Sequence, residues 1–266
     1  MGIRLCYFDV DATLLDPRRN IPDRLQGALQ DCHDKGIRLS LATGRKYDSA
    51  LPYARAIGAD APLILYNGAR IQEPADGKIL YDKKLDLEEA KAGLRLVQQY
   101  GLHVNLYIQD VIYIEKETGV SRESAKKNGV SQEVVGDLVD FIESEPTKLL
   151  IIGPGEKLEA LWADFDRQPH KAEMVRSEPT YLEILPEGVS KGSALRVVSE
   201  ITGVALSDIA AFGDSNNDIE MLRAAGLGVA VGNALDNVKA VADYVAGAGD
   251  GLGVAEGLIK KVLEES

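Results

Sequence analysis

Two carboxylates one residue apart stand in Asp9-Val10-Asp11-Ala12-Thr13-Leu14, directly after an apolar run over residues 3–8. At the carboxyl end of a parallel strand, such a pair lies where open α/β sheets present their ligands. One carboxylate can attack an electrophile while the other moves protons or holds geometry. The competing reading is an Asx turn that only ends a strand. Three more segments carry suitable groups. In Leu41-Ala42-Thr43-Gly44-Arg45, a hydroxyl and a glycine N–H at a helix start could bind phosphate oxygens, or Thr43 could simply cap the helix. Ser190-Lys191-Gly192 offers an ammonium that can offset phosphate charge. Gly213-Asp214-Ser215-Asn216-Asn217-Asp218 offers oxygen ligands for a hard cation, or a polar turn that caps the next helix. Mg²⁺ takes one or two carboxylates plus waters and substrate phosphate, which Asp9 and Asp214 could supply.

These segments need a frame that brings them together. Residues 3–8, 38–42 and 62–66 read as buried strands, with helices over 22–35 and 47–57 between them. Strand and helix alternate, which predicts parallel pairing in a wound α/β sheet. From residue 85 the texture changes. Residues 87–100 form an amphipathic helix pattern, and 103–108 and 111–115 alternate like a hairpin around Gln109-Asp110. Further elements follow at 148–152, 156–166 and 181–184 before Pro186-Glu187-Gly188 interrupts. The wound pattern then resumes with a helix from Lys191, a strand over 209–212, a helix over 217–223, strands at 227–231 and 244–245, and a final helix over 254–263. The expected organisation is a core made of 1–84 and 184–266, with an inserted α+β module over 85–183.

At 266 residues, 45% hydrophobic and 27% charged, the chain has the composition of an ordinary globular protein. Its formal net charge of −12 opposes binding to nucleic acid or to an anionic membrane surface, which need clustered Lys and Arg. An anionic substrate must therefore be held by a local device. Cys6 and Cys32 are the only cysteines, and with no signal-like start or membrane-length apolar run the expected compartment is cytoplasmic. His33, His103 and His170 lack zinc-like spacing. The glycines of 247–253 read as a turn, because no strand follows to complete a dinucleotide-binding unit.

The four segments, in this order and with an insertion between the second and third, resemble the haloacid dehalogenase-like phosphatase superfamily, specifically its Cof-type members. Tyr66-Asn67-Gly68-Ala69, the stretch from Leu185 to Gly192, and Gly228-Val229-Ala230-Val231-Gly232-Asn233-Ala234 add to the likeness. It spans nearly the whole chain. One departure stands out: the family usually has Gly after its second aspartate, and this chain has Ala12.

The resemblance implies a Rossmann-like core with a cap that closes over the site and selects the substrate. It implies Asp9 as nucleophile, forming an aspartyl phosphate, and Asp11 as general acid and then base. Thr43, Gly44, Lys191 and Asn217 would bind the phosphate. Mg²⁺ would be held by the Asp9 carboxylate, the Asp11 main-chain carbonyl and the Asp214 carboxylate, with Ser215 and Asp218 in support. The expected substrate is a small phosphorylated metabolite, with sugar phosphates leading, and the expected form is a monomer or weak homo-oligomer. Two alternatives are a phosphoryl-transferring mutase relative and a non-catalytic phospholigand-binding protein. On the cap hairpin, Tyr107, Tyr113 and Glu115 are candidates to touch the leaving group.

Overall fold

A computed structural model describes residues 2–264, so expectations reaching Met1, Glu265 and Ser266 lie outside the described residues. The chain divides into two compact units, one formed by the chain up to Asp82 together with the chain from Ser190, the other by Lys83–Val189. The junctions lie at 83 and 189 rather than at 85 and 183.

In the first unit Leu5–Phe8 is an interior strand of a five-stranded parallel sheet. Arg38–Leu41 lies on one side of it; on the other lie Ile209–Gly213, then Leu227–Ala230, then Tyr244–Val245. Leu5, Cys6, Tyr7 and Phe8 are all fully buried, as expected for a strand covered on both faces. Phe8 and Phe212 are partners in register, with ring centroids 5.0 Å apart. Both cysteines are buried and free. The helices Asp23–Asp34, Tyr47–Ala56, Lys191–Thr202 and Asp250–Gly257 belong to this unit. The last of these begins inside the stretch expected to be only a turn.

Strand Leu63–Leu65 departs from the expected parallel pairing. A single parallel bridge joins Ile64 to Ala42, but its ladder is antiparallel, with Arg70–Gln72 and then Ile79–Asp82 in a three-stranded sheet. The turn Tyr66–Gly68 reverses the chain where the sequence read only a stop.

The second unit has a six-stranded sheet in the order Glu173–Glu178, Tyr181–Leu185, Lys148–Ile152, His103–Ile108, Val111–Ile114, Glu133–Val134, antiparallel except for the last pair. Residues two apart on a strand share a face. Leu149, Ile151, Leu182 and Ile184 thus join Leu94, Val97, Leu158 and Leu161 of the helices Leu87–Tyr100 and Gly155–Asp166 in one apolar cluster. Lys148 and Glu183 alternate with these residues and pair at 2.5 Å, both almost fully buried.

Candidate functional site

Register alone brings three of the expected segments side by side. Phe8 pairs with Leu41 on one side and Phe212 on the other, so the residues just beyond these strands emerge at the same edge of adjacent strands about 4.8 Å apart. Asp9 leaves the strand Leu5–Phe8, with its N–H donating to the Phe212 carbonyl at 3.0 Å; Thr43 leaves one neighbour and Asp214 the other. Strand order reverses its direction of growth at Leu5–Phe8, and this is where a doubly wound sheet opens a crevice.

The fourth segment arrives on a helix. Ser190 caps Lys191–Thr202 reciprocally: its Oγ accepts from the Ser193 N–H, and the Ser193 Oγ accepts from the Ser190 N–H, both at 2.9 Å. A cation in the first turn opposes the helix dipole. Two carboxylates offset this: the buried Lys191 Nζ donates to Asp9 Oδ1 at 2.5 Å and to Asp218 Oδ1 at 2.6 Å.

Asp9, Asp214 and Asp218 each present a carboxylate oxygen within 4.8 Å of the others. Asp218, expected only as a support, is part of this group. Its Oδ2 accepts the backbone N–H groups of Asp214 and Ser215, both at 3.0 Å, which shapes the loop. That fold-back depends on Gly213, where a Cβ would stand 2.4 Å from the Asp218 Cβ. Thr13, buried in the turn after Asp9, donates to Asp214 Oδ1 at 2.6 Å and aims the third carboxylate. Three hard oxygen donors at this spacing suit a divalent cation such as Mg²⁺.

The electrostatics of the cluster point the same way. Burial, aided by Asp218 and Asp214, pushes the Asp9 carboxyl well above the usual range, against the pull of Lys191. Burial first and Asp218 second push Asp214 up to about 7. Burial alone would depress Lys191, but Asp218 and Asp9 outweigh it and hold the ammonium above its ordinary value. More negative charge is gathered here than one ammonium can neutralise.

The Asp11 carboxylate is held elsewhere, by a residue that sequence reasoning did not single out. Arg45 donates to it through Nε at 2.9 Å and Nη2 at 2.7 Å, and Arg19 lies at 3.4 Å. Arg45 is itself nearly buried and stacks over the Tyr53 ring. Its only signal in the sequence was its place next to Thr43-Gly44. Between Asp9 and Thr13 the chain makes one wide turn in which Ala12 adopts φ 59° and ψ 6°, the left-handed region that favours glycine. The Asn233 side chain accepts the Asp250 N–H at 2.7 Å and donates to the Ala12 carbonyl at 2.8 Å, pinning this turn.

The remaining expected residues lie along one chain of hydrogen bonds. Ser215 Oγ donates to Asn217 Oδ1 at 2.6 Å, and Asn217 Nδ2 donates to Asn67 Oδ1 at 3.0 Å. The Asn67 N–H donates to the Thr43 carbonyl at 3.0 Å. Thr43 Oγ1 accepts the Arg45 N–H at 3.3 Å, and Gly44 lies against the Asn67 carboxamide. A separate cavity of about 710 Å³ in the second unit, lined by His103, Glu115, Lys116, Asp137 and Lys157 among others, contains none of these groups.

Comparison with known proteins gives the family. A family model described as haloacid dehalogenase-like hydrolase matches residues 6–258. An HMP-PP phosphatase of Enterobacter sp. (strain 638) is 32% identical over 238 residues, covering 89% of this chain and 87% of that protein. A haloacid dehalogenase-like hydrolase from Bacteroides thetaiotaomicron superposes with a TM-score of 0.85 at 29% identity, covering 97% of this chain and 99% of its own. A HAD subclass IIB sugar phosphatase superposes at 0.80 with 25% identity, covering 91% and 93%. The family model spans most of the chain and the solved structures share its fold over nearly their whole length, and the chain belongs to the haloacid dehalogenase-like hydrolases.

Proposed function

We propose that the chain is a Mg²⁺-dependent phosphatase that hydrolyses small phosphorylated metabolites, sugar phosphates foremost, through an aspartyl phosphate on Asp9. The observation that carries this reading is the buried Lys191 bridging Asp9 and Asp218 beside a three-carboxylate group. That arrangement suits an anionic nucleophile meeting an anionic phosphoryl group. Asp9, Asp214 and Asp218 would hold the ion, which supplies charge neutralisation and Lewis acidity at the phosphoryl oxygens.

Asp9 Oδ attacks phosphorus in line, the bond to the leaving oxygen breaks, and Asp11 gives that oxygen its proton. In the second half Asp11, having given up its proton, is a carboxylate and draws a proton from the water that attacks the aspartyl phosphate. Proton transfer of this kind contributes about 10²–10⁴-fold. Lys191, Thr43, the Gly44 N–H and Asn217 spread the charge that develops on the phosphoryl oxygens. The likeness to an HMP-PP phosphatase and to a sugar phosphatase supports a small phosphorylated substrate. Between Asp11 and Thr43 the only regular elements are the rest of the Asp9 turn, helix Asp23–Asp34 and strand Arg38–Leu41, with no cap module, which supports hydrolysis over mutase chemistry. A cytoplasmic setting fits the free buried cysteines, and no helix among the described residues is long and apolar enough to cross a membrane.

The test is phosphate release from p-nitrophenyl phosphate with Mg²⁺ and with EDTA, for the natural chain and for Asp9→Asn. Mg²⁺-dependent release is expected from the natural chain and none from a folded Asp9→Asn variant. Turnover at the natural rate by that variant would remove Asp9 from the nucleophile role.

A further inference from the structure

The turn Tyr66-Asn67-Gly68 has backbone φ values of 52°, 54° and 107° in succession. Left-handed backbone is uncommon outside glycine, and a bulky residue such as tyrosine adopts it only where its surroundings impose it. Here the surroundings are the site itself. The Tyr66 N–H donates to the Arg45 carbonyl at 3.1 Å and the Asn67 N–H to Thr43. A Cβ on Gly68 would stand 2.2 Å from the carbonyl oxygen of Ser190, so the turn is seated against the cap of the Lys191 helix.

The side chain of Asn67 is 1% exposed. Its Oδ1 accepts from Asn217 Nδ2, and Asn217 Oδ1 accepts the Ser215 hydroxyl. That leaves Nδ2 of Asn67 shut off from solvent with no hydrogen-bond partner among the described residues. It faces the Gly44 backbone, where a Cβ would stand 3.1 Å from it. A buried amide donor without a partner is costly, and such groups call for a functional explanation.

We propose that Asn67 is an anion-binding residue: its carboxamide oxygen holds Asn217 in place, and its nitrogen donates to an oxygen of the bound phosphoryl group beside Gly44. This rests on reading the site as a phosphate site. It gives the strained turn a task, because only this backbone carries the carboxamide between the Thr43–Arg45 loop and Asn217. It also gives the missing side chain at Gly44 a reason, since even a methyl group there would crowd the donor.

The test is calorimetric binding of inorganic phosphate to the full chain with Mg²⁺, using Asn67→Asp and Asn67→Gly. Asp tolerates left-handed backbone and keeps an acceptor for Asn217, but replaces the donor. Gly keeps the backbone conformation and removes the whole carboxamide; it carries the test if the Asp variant does not fold. Both folded variants are expected to bind phosphate about tenfold to a hundredfold more weakly, as for loss of a hydrogen bond to a charged group. A folded variant of either kind that binds phosphate within twofold of the natural chain overturns the proposal, as does a fall in melting temperature with unchanged affinity. If phosphate binds in an Asn67-dependent way while no phosphate ester is hydrolysed, the phosphatase reading fails and this one stands.

Discussion

Replacing Lys191 with methionine tests the charge balance on which the site depends. When all are ionised, Asp9, Asp214 and Asp218 bring three negative charges and Lys191 one positive, a balance of −2 that a divalent cation would cancel; Asp11 is offset separately by Arg45. Lys191→Met leaves −3 in a setting where the Lys191 side chain is fully buried and its two partners are 9% and 0% exposed. Breaking a buried pair by removing one partner costs about 3–5 kcal/mol. At this chain length that corresponds to a fall in melting temperature on the order of 10 °C. The sign of the pH dependence follows from Asp9 and Asp214, both raised above the usual carboxylate range. Their folded forms bind protons more tightly than the unfolded chain does. Stability from this source is therefore present at low pH and is lost as pH rises through the folded values, about 7 for Asp214. Loss of Lys191 raises those values further, so the variant's deficit widens from pH 5 to pH 8, and Mg²⁺ narrows it at pH 8. Differential scanning calorimetry of EDTA-treated protein measures this. A deficit of under about 3 °C at pH 8, or one equal at both pH values, would refute the reasoning.

Mg²⁺ binding should weaken below neutrality, because the ion competes with the proton that Asp214 holds with a pKa of about 7. Affinity by titration calorimetry is expected to fall about tenfold from pH 8 to pH 6, and a flat profile would show that this carboxyl is not a ligand. Ala12→Gly should stabilise the protein by up to about 1 kcal/mol in urea unfolding. The left-handed turn costs a residue with a Cβ about 1–2 kcal/mol, and the greater freedom of glycine in the unfolded chain returns about half of that. A loss of stability would mean that the turn carries no strain.

The parallel core was legible because its strands are short apolar runs that end in polar groups, the pattern of a doubly covered sheet with chemistry at one edge. Other elements were hidden for physical reasons. Arg70–Gln72 is too short for its alternation to be a signal and Glu173–Glu178 does not alternate evenly, so both are strands because of their partners. Helix Gly119–Asn128 buries Ser121 and Ser124 rather than an apolar stripe, so helical periodicity gave no signal. In the site, Asp9, Lys191 and Asp214 stood out by type and position. Asp218 was expected only in support, because its reach back to Lys191 depends on the absent side chain of Gly213, and in sequence that glycine only suggests a turn. Arg45 was quoted with its motif but given no role, because its partner Asp11 is 34 residues away.

These hidden contacts share a cause. Asp218, Arg45, Thr13 and Asn67 act on the segments that the sequence did announce, and they do so by holding a charge or a donor where it would not rest by itself. Asp218 and Asp9 keep Lys191 charged at a helix start that disfavours it, and Arg45 pins Asp11. Thr13 turns Asp214 towards two other carboxylates. Three carboxylates gathered in a buried site are unfavourable by themselves, and the pairs with Lys191 offset only part of that cost. Departures from local preference gathered at one sheet edge are the pattern expected of a functional site. An ion or phosphoryl group that binds only the folded site adds to its stability, which is why the calorimetric deficit, its pH dependence and its response to Mg²⁺ must be read together.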